Sequence, residues 1–244
     1  MIYSRKTNKM IVPERFNLAD AICKRHKDAV ARVALIDVKP AASNTYTYGG
    51  LDFISDKFAT ALAKHGITKG DAVAVILPRS AALVTAHLGA LKLGAVVVPL
   101  HVGLDQAAIE FALRDSNAKA VVADFSIRSE IIGLTGTTPL FIAGDSREAN
   151  EIKNSAKSFW REINEASSDF TAVETLSTSP AFIFYTAVSH SIVHNHASLF
   201  EKLNNFDLKD ESVFWPAANC CSVEVLLGMI YPALWHGYSV AAHS

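Results

Sequence analysis

Residues 179–199 read S-P-A-F-I-F-Y-T-A-V-S-H-S-I-V-H-N-H-A-S-L. Pro180 opens an unbroken apolar run, Ala181 to Tyr185, of the kind that forms a strand buried on both faces. Apolar spacing at Leu199 and Leu203 predicts that the stretch ends as the start of a helix. A strand that passes through a tight loop into a helix aims loop and helix amides at one point. That geometry suits a phosphate.

Upstream, the same alternation repeats. Ala72 to Leu77 is a continuous apolar strand ended by Pro78; Ser80 is placed to cap a helix from Ala81 to Leu93, and Gly94 closes it. Ala95 to Val98 is a second such strand. Asp105 caps a predicted helix to Asp115, and a strand at Ala120 to Ala123, a helix at Ile127 to Leu134 and a strand at Leu140 to Ala143 follow. Nearer the N-terminus, Asn17 is a predicted N-cap, Val33 to Ile36 and Thr45 to Tyr48 are short strands, and Leu51, Ile54, Phe58 and Leu62 form one helical stripe that stops at Gly66. Downstream, Ser212 to Trp215 reads as a strand, Val223 to Trp235 as an apolar helix and Tyr238 to Ala241 as a strand. Continuous apolar strands separated by amphipathic helices mean an α/β fold of largely parallel sheets flanked by helices. The polar segment Asp145 to Thr178 is the expected boundary between a first lobe, about 1–170, and the start of a second, about 171–244.

Composition narrows the function. Half of the 244 residues are hydrophobic and 19% are charged, which excludes a disordered chain. A net charge of −1 gives no electrostatic case for nucleic acid or an anionic membrane as partner. The N-terminal residues lack the apolar core of a signal peptide, and no apolar run reaches the length of a membrane span. Cys23, Cys220 and Cys221 form neither a disulfide framework nor a C-x-x-C site, so a reducing, cytoplasmic compartment is the expectation.

Several segments, in this order and spacing, resemble the adenylate-forming (AMP-binding) superfamily, and within it the medium-length acyl-CoA synthetases. Tyr185-Thr186 and His194-Asn-His-Ala-Ser-Leu199 stand where that family ends a strand in Tyr-Thr and later carries H-x-H-x-S-L. Thr45-Tyr-Thr-Tyr48 with Leu51, Gly66-Ile-Thr-Lys-Gly-Asp71, Leu88 to Leu100 and Phe214-Trp-Pro-Ala217 resemble further family segments. The resemblance implies an incomplete N-terminal domain of an enzyme that joins a carboxylic acid to the α-phosphate of ATP, with Mg, and passes the acyl group to CoA. The family's magnesium glutamate, ribose aspartate and C-terminal domain with its lysine cannot be placed in this chain, and no catalytic residue is assigned.

Between the matching flanks the chain departs from the pattern. Ten steps separate Thr186 from His196 where the family has fourteen, and the glycines, proline and lysine of its phosphate loop are absent. Thr186, Ser189 and Ser191 are the remnant of that loop and the candidates for nucleotide contact. Asn219, Cys220 and Cys221 stand in the region that walls the acyl pocket in the resembling enzymes, and Val223 and Glu224 at its glycine pair. These departures lead to the expectation of a catalytically inactive chain. Two alternatives remain: a non-catalytic pseudoenzyme that binds itself or an intact paralogue through surfaces around Val223 to Trp235, and metal binding at His190, His194 and His196.

Overall fold

The computed structural model describes residues 2–4, 9–26, 30–39, 43–145, 147–152, 156–186, 190–199, 213–216 and 221–243. Ser189, Asn219 and Cys220 lie outside the described residues. A short antiparallel hairpin, β1 (Ile2–Ser4) and β2 (Lys9–Ile11), opens the chain. It is followed by α1 (Leu18–Arg25), β3 (Val33–Val38), β4 (Asn44–Thr47), α2 (Tyr48–Lys64), β5 (Ala72–Ile76), α3 (Ala81–Lys92) and β6 (Val96–Leu100). Next come α4 (Gln106–Asp115), β7 (Ala120–Asp124), α5 (Arg128–Thr135), β8 (Leu140–Ala143), β9 (Lys157–Ser158), α6 (Phe159–Glu165), β10 (Pro180–Thr186) and β11 (His190–Asn195). After β12 (Val213–Phe214), a continuous helical stretch comprises α7 (Val223–Val225), a π-helical turn (Leu226–Ile230) and α8 (Tyr231–His236), and β13 (Ser239–His243) follows. Among the described residues no helix is long and apolar enough to cross a membrane.

Seven strands form the main sheet in the order β11-β10-β6-β5-β7-β8-β9, parallel except for the antiparallel pair β10–β11. Strand side chains alternate between faces, and both faces here are covered. Val73 and Val75 of β5, Val122 of β7 and Phe141 of β8 enter the larger core, with α1, α2, α3 and α6. Ala74, Ile76, Val121 and Ile142 point the other way, into a smaller core shared with α4 and α5. Two-sided burial is why these strands read as unbroken apolar runs. A second sheet, ordered β12-β13-β3-β4, joins the end of the chain to its beginning, with Val240 registered against Leu35. Strands from beyond residue 170 thus enter sheets begun earlier: β10 beside β6, and β13 beside β3.

The predicted caps act as the sequence requires. Asn17 accepts from the Ala19 and Asp20 amides at the start of α1, and its Nδ2 donates to the carbonyls of Leu91 and Val173, tying α1 to the end of α3. Ser80 and Asp105 cap α3 and α4. Gly94 takes φ +76° in the turn from α3 into β6, a conformation that strains any other residue. At the far end of α8, the carbonyls of Leu234 and Trp235 are met by His26 Nε2 at 3.2 and 3.1 Å, and Tyr48 Oη lies 2.9 Å from the Leu234 carbonyl. The π turn before α8 has a local cause: Pro232 has no N–H to give to the carbonyl of Gly228.

Two expectations are corrected. Tyr48 begins α2, because the Thr47 hydroxyl accepts the Gly50 amide and starts the helix one residue earlier. More consequentially, residues 190–195 are a strand, where a loop and the start of a helix were expected. Thr186 pairs with His190 and the ladder runs back through Tyr185–Ser191, Phe184–Ile192 and Ile183–Val193. The β-branched pair Ile192-Val193 suits the pleat, and the ladder satisfies backbone groups that a lone turn of helix would leave unpaired. A 3₁₀ turn, His196–Leu199, follows, and the helix expected through Leu203 falls on residues outside the described ones.

Candidate functional site

The C-terminal ends of β6 and β10 open onto a cavity of about 290 Å³. Open α/β sheets bind ligands outside the carboxyl ends of their strands, and this cavity has that position. Pro99, Leu100 and His101 form the β6 side; Leu104, Ala108 and Phe111 come from the loop into α4 and its first turns; Phe184, Tyr185 and Thr186 close the β10 side. Cys221, Ser222, Val223 and Glu224, at the start of the 223–236 helical stretch, complete the wall. The lining is mostly apolar, with hydroxyl, thiol, imidazole and carboxylate groups at its edge.

Local contacts hold these groups. The Cys221 thiol donates to the carbonyl of Leu100 at 3.1 Å, so the residue that ends β6 fixes the residue that precedes the helix cap. Ser222 Oγ accepts the Val225 amide as that cap. Tyr185 Oη donates to Asp115 Oδ2 at 2.7 Å, and its ring meets Phe111 edge-on at 6.1 Å. Burial, with the Asp115 carboxylate, pushes the Tyr185 phenol well above its ordinary range, so it remains a protonated donor that pins β10 to the end of α4. His101 Nδ1 accepts the Gly103 amide at 3.0 Å, which orients the imidazole in the β6–α4 loop.

Of the residues expected from sequence, Thr186 and Cys221 are brought together on opposite walls of this cavity. Ser191 is not among its lining: it sits on β11 opposite Tyr185. The histidine triplet is not assembled as a metal centre. His190 is exposed, His194 packs edge-on against Phe184 at 5.5 Å, and His196 is buried with Nδ1 accepting the Leu18 amide at 3.1 Å. Among the described residues no group of three or more His, Cys, Asp or Glu side chains is placed to hold a metal ion. Within the segment expected as a partner surface, Val225, Leu226, Leu227, Ile230 and Trp235 are core residues at the end of the larger cluster.

Sequence reading missed the β6–α4 wall. Its signal was present in Leu100-His-Val-Gly-Leu104, a parallel strand that ends just before a helix capped by Asp105. Nothing in that stretch says which other loops fold over the same strand end.

The described residues that line the cavity do not fit a nucleoside triphosphate. Such a group calls for a lysine or arginine and for glycines that let the backbone approach closely. Between the paired residues Thr186 and His190 there are only three residues, Ala187, Val188 and Ser189, and none is a glycine or a cation.

A family model described as AMP-binding enzyme matches residues 20–242. The long-chain-fatty-acid–CoA ligase FadD13 of Mycobacterium tuberculosis is 30% identical over 172 residues, 66% of this chain and 32% of its own length. The acetyl-coenzyme A synthetase of Bacillus subtilis is 25% identical over 220 residues, 84% of this chain and 38% of its own. Among solved structures, an acyl-CoA synthetase of Brucella canis superposes with a TM-score of 0.85 at 23% identity, over 94% of this chain and 43% of that one. The anthranilate CoA ligase AuaEII, in complex with anthranoyl-AMP, superposes with a TM-score of 0.83 at 19% identity, over 95% and 45%. The chain therefore spans less than half the length of these relatives, and the structural likeness establishes the fold.

Proposed function

Since the chain belongs to the AMP-binding enzyme family, we propose that it keeps that family's acid-binding character in the cavity at the ends of β6 and β10, and that this chain does not itself form an acyl adenylate. The parent reaction joins a carboxylate to the α-phosphate of ATP with loss of pyrophosphate, then transfers the acyl group to the thiol of CoA. The observation that carries the proposal is the β10–β11 connection: Thr186 and His190 pair across three residues that contain neither glycine nor lysine. A charge-assisted hydrogen bond contributes about 1.5–3 kcal/mol, so loss of a single lysine contact weakens phosphate binding by roughly ten- to a hundredfold. The shortened backbone removes amide donors in addition.

The cavity's size points to the acid. An apolar cavity of about 150 Å³ holds benzene, and this one, at about 290 Å³, has room for a ring with substituents or a medium aliphatic chain. The anthranilate CoA ligase that shares this fold is named for an aryl acid, which supports an acid of that class. Glu224 at the cavity edge opposes a carboxylate ligand by like charge.

Two measurements test the two halves separately. Acid-dependent ATP–pyrophosphate exchange is expected to stay at the no-enzyme level with benzoate, octanoate and acetate, and exchange above that level refutes inactivity. Saturation-transfer NMR is expected to detect benzoate binding, strengthened severalfold by Glu224→Gln and abolished by Cys221→Trp, which fills the cavity. Binding that persists unchanged in Cys221→Trp refutes the assignment of this cavity.

A further inference from the structure

A second cavity, of about 230 Å³, lies between α4, α5 and the start of β7. Its walls come from residues 110–138 alone, all of them described, in the helical layer over the smaller core. Leu113, Ala118, Val121 and Leu134 make an apolar floor. Glu110 and Arg114 stand one turn apart on α4, with Oε1 and Nη1 4.0 Å from each other and both side chains exposed. The other polar residues of the lining are Thr135, at the end of α5, and Thr138, in the turn to β8. That turn closes with the Thr138 amide on the Thr135 carbonyl at 2.9 Å, and Gly136 takes φ +56° within it. At the end of α4, Ser116 turns its hydroxyl back onto the Ala112 carbonyl at 2.6 Å. Thr135 is 9% exposed, and among the described residues its hydroxyl makes no such bond.

We propose that this cavity binds a free α-amino acid with a branched aliphatic side chain, its carboxylate on Arg114 and its ammonium on Glu110. A guanidinium fork takes a carboxylate in two parallel bonds. A simple carboxylate would meet Glu110 as a like charge, and a simple amine would meet Arg114 in the same way. A zwitterion satisfies both. The C-terminal ends of α4 and α5 reach the cavity, and the negative end of a helix favours an ammonium. Threonine hydroxyls can donate to the carboxylate and accept from the ammonium. The four aliphatic residues of the floor select an aliphatic side chain. An apolar cavity of about 150 Å³ holds benzene, so one of about 230 Å³ takes a branched four-carbon chain together with its charged head. Both charged side chains face solvent, so binding is weak, on the order of millimolar.

The inference does not depend on acid binding at the ends of β6 and β10, and because α4 walls both cavities the experiment tells them apart. Backbone amide NMR of the full, isotope-labelled chain is followed during titration with L-leucine, with isocaproate, which lacks the ammonium, and with isoamylamine, which lacks the carboxylate. Leucine is expected to shift amides within residues 110–138 and to bind severalfold more tightly than either analogue. Arg114→Gln is expected to weaken leucine about two- to fivefold. Glu110→Gln is expected to weaken leucine by a similar factor and to strengthen isocaproate, a reversal of sign that a change of shape alone would not produce. Both positions are exposed, so circular dichroism is expected to stay unchanged. Cys221→Trp, which fills the other cavity, is expected to leave leucine binding intact. Absence of shifts within 110–138, equal binding of either analogue, or leucine binding unchanged in both α4 variants overturns the proposal. Loss of leucine binding in Cys221→Trp also overturns it, because leucine would then occupy the cavity at the ends of β6 and β10.

Discussion

Acid should unfold this protein partly through one histidine. His196 is fully buried at the start of the 3₁₀ turn after β11, and its Nδ1 accepts the backbone amide of Leu18 at the first turn of α1. An accepting Nδ1 carries no proton, so protonation both buries a charge and breaks that bond. Burial, with a smaller contribution from Lys69, lowers the His196 pKa to about 4. The unfolded imidazole titrates at about 6.5. Below that value the unfolded chain binds a proton that the folded chain refuses, so stability is complete above about pH 6.5, falls as pH drops, and stops falling once the folded state titrates near pH 4. Between pH 7 and pH 5 the linkage comes to about 2 kcal/mol, from a full span of about 3 kcal/mol. His196→Asn separates this effect from simple loss of contact, since the Asn Oδ1 can replace Nδ1 as acceptor for Leu18 without titrating in this range. Urea unfolding followed by circular dichroism at pH 7, 6 and 5 should show the variant losing about 2 kcal/mol less than the wild type over the interval. Equal losses in the two proteins would refute the assignment.

Two further predictions concern α2 and α3. Lys92 is buried to 1% side-chain exposure with Nζ 2.5 Å from Asp52 Oδ1 and 2.6 Å from Asp56 Oδ1, so Lys92→Met leaves two carboxylates facing each other in a partly buried site. The expected cost is about 3 kcal/mol in urea unfolding, and a cost below about 1 kcal/mol would show that solvent already screens the group. At Gly89 an added Cβ would stand 2.8 Å from Phe58 Cδ1 and 3.0 Å from the Ser55 carbonyl oxygen, so Gly89→Ala should destabilise by about 1–3 kcal/mol despite alanine's better helix propensity. A stabilised Gly89→Ala variant would mean that α2 and α3 part more easily than their packing indicates.

The sequence by itself determined much of the fold. Runs such as Ala72–Ile76 and Ala120–Ala123 are apolar throughout because both sheet faces are covered, and that pattern is readable without coordinates. Asn17, Ser80 and Asp105 were equally legible as caps, since a cap is a local event of three or four residues. The family flanks at Tyr185-Thr186 and His194–Leu199 were readable as well, as was the lack of glycine and lysine between them. What the sequence could not settle was the path of that middle stretch. Its short-range spacing favoured a helix after the loop, whereas β10 offered a long-range ladder that captured residues 190–195 as a strand. The same limit applied to the site. Cys221 lies 121 residues from the Leu100 carbonyl that it contacts, and Tyr185 lies 70 residues from Asp115. Which loops meet over a strand end depends on sheet order, and sheet order is set by pairings distant in the chain. Burial of the 223–236 helix and exposure of β11 were decided there too. Aliphatic residues stand in both elements, and only their neighbours in space make one a core element and leave those of the other exposed.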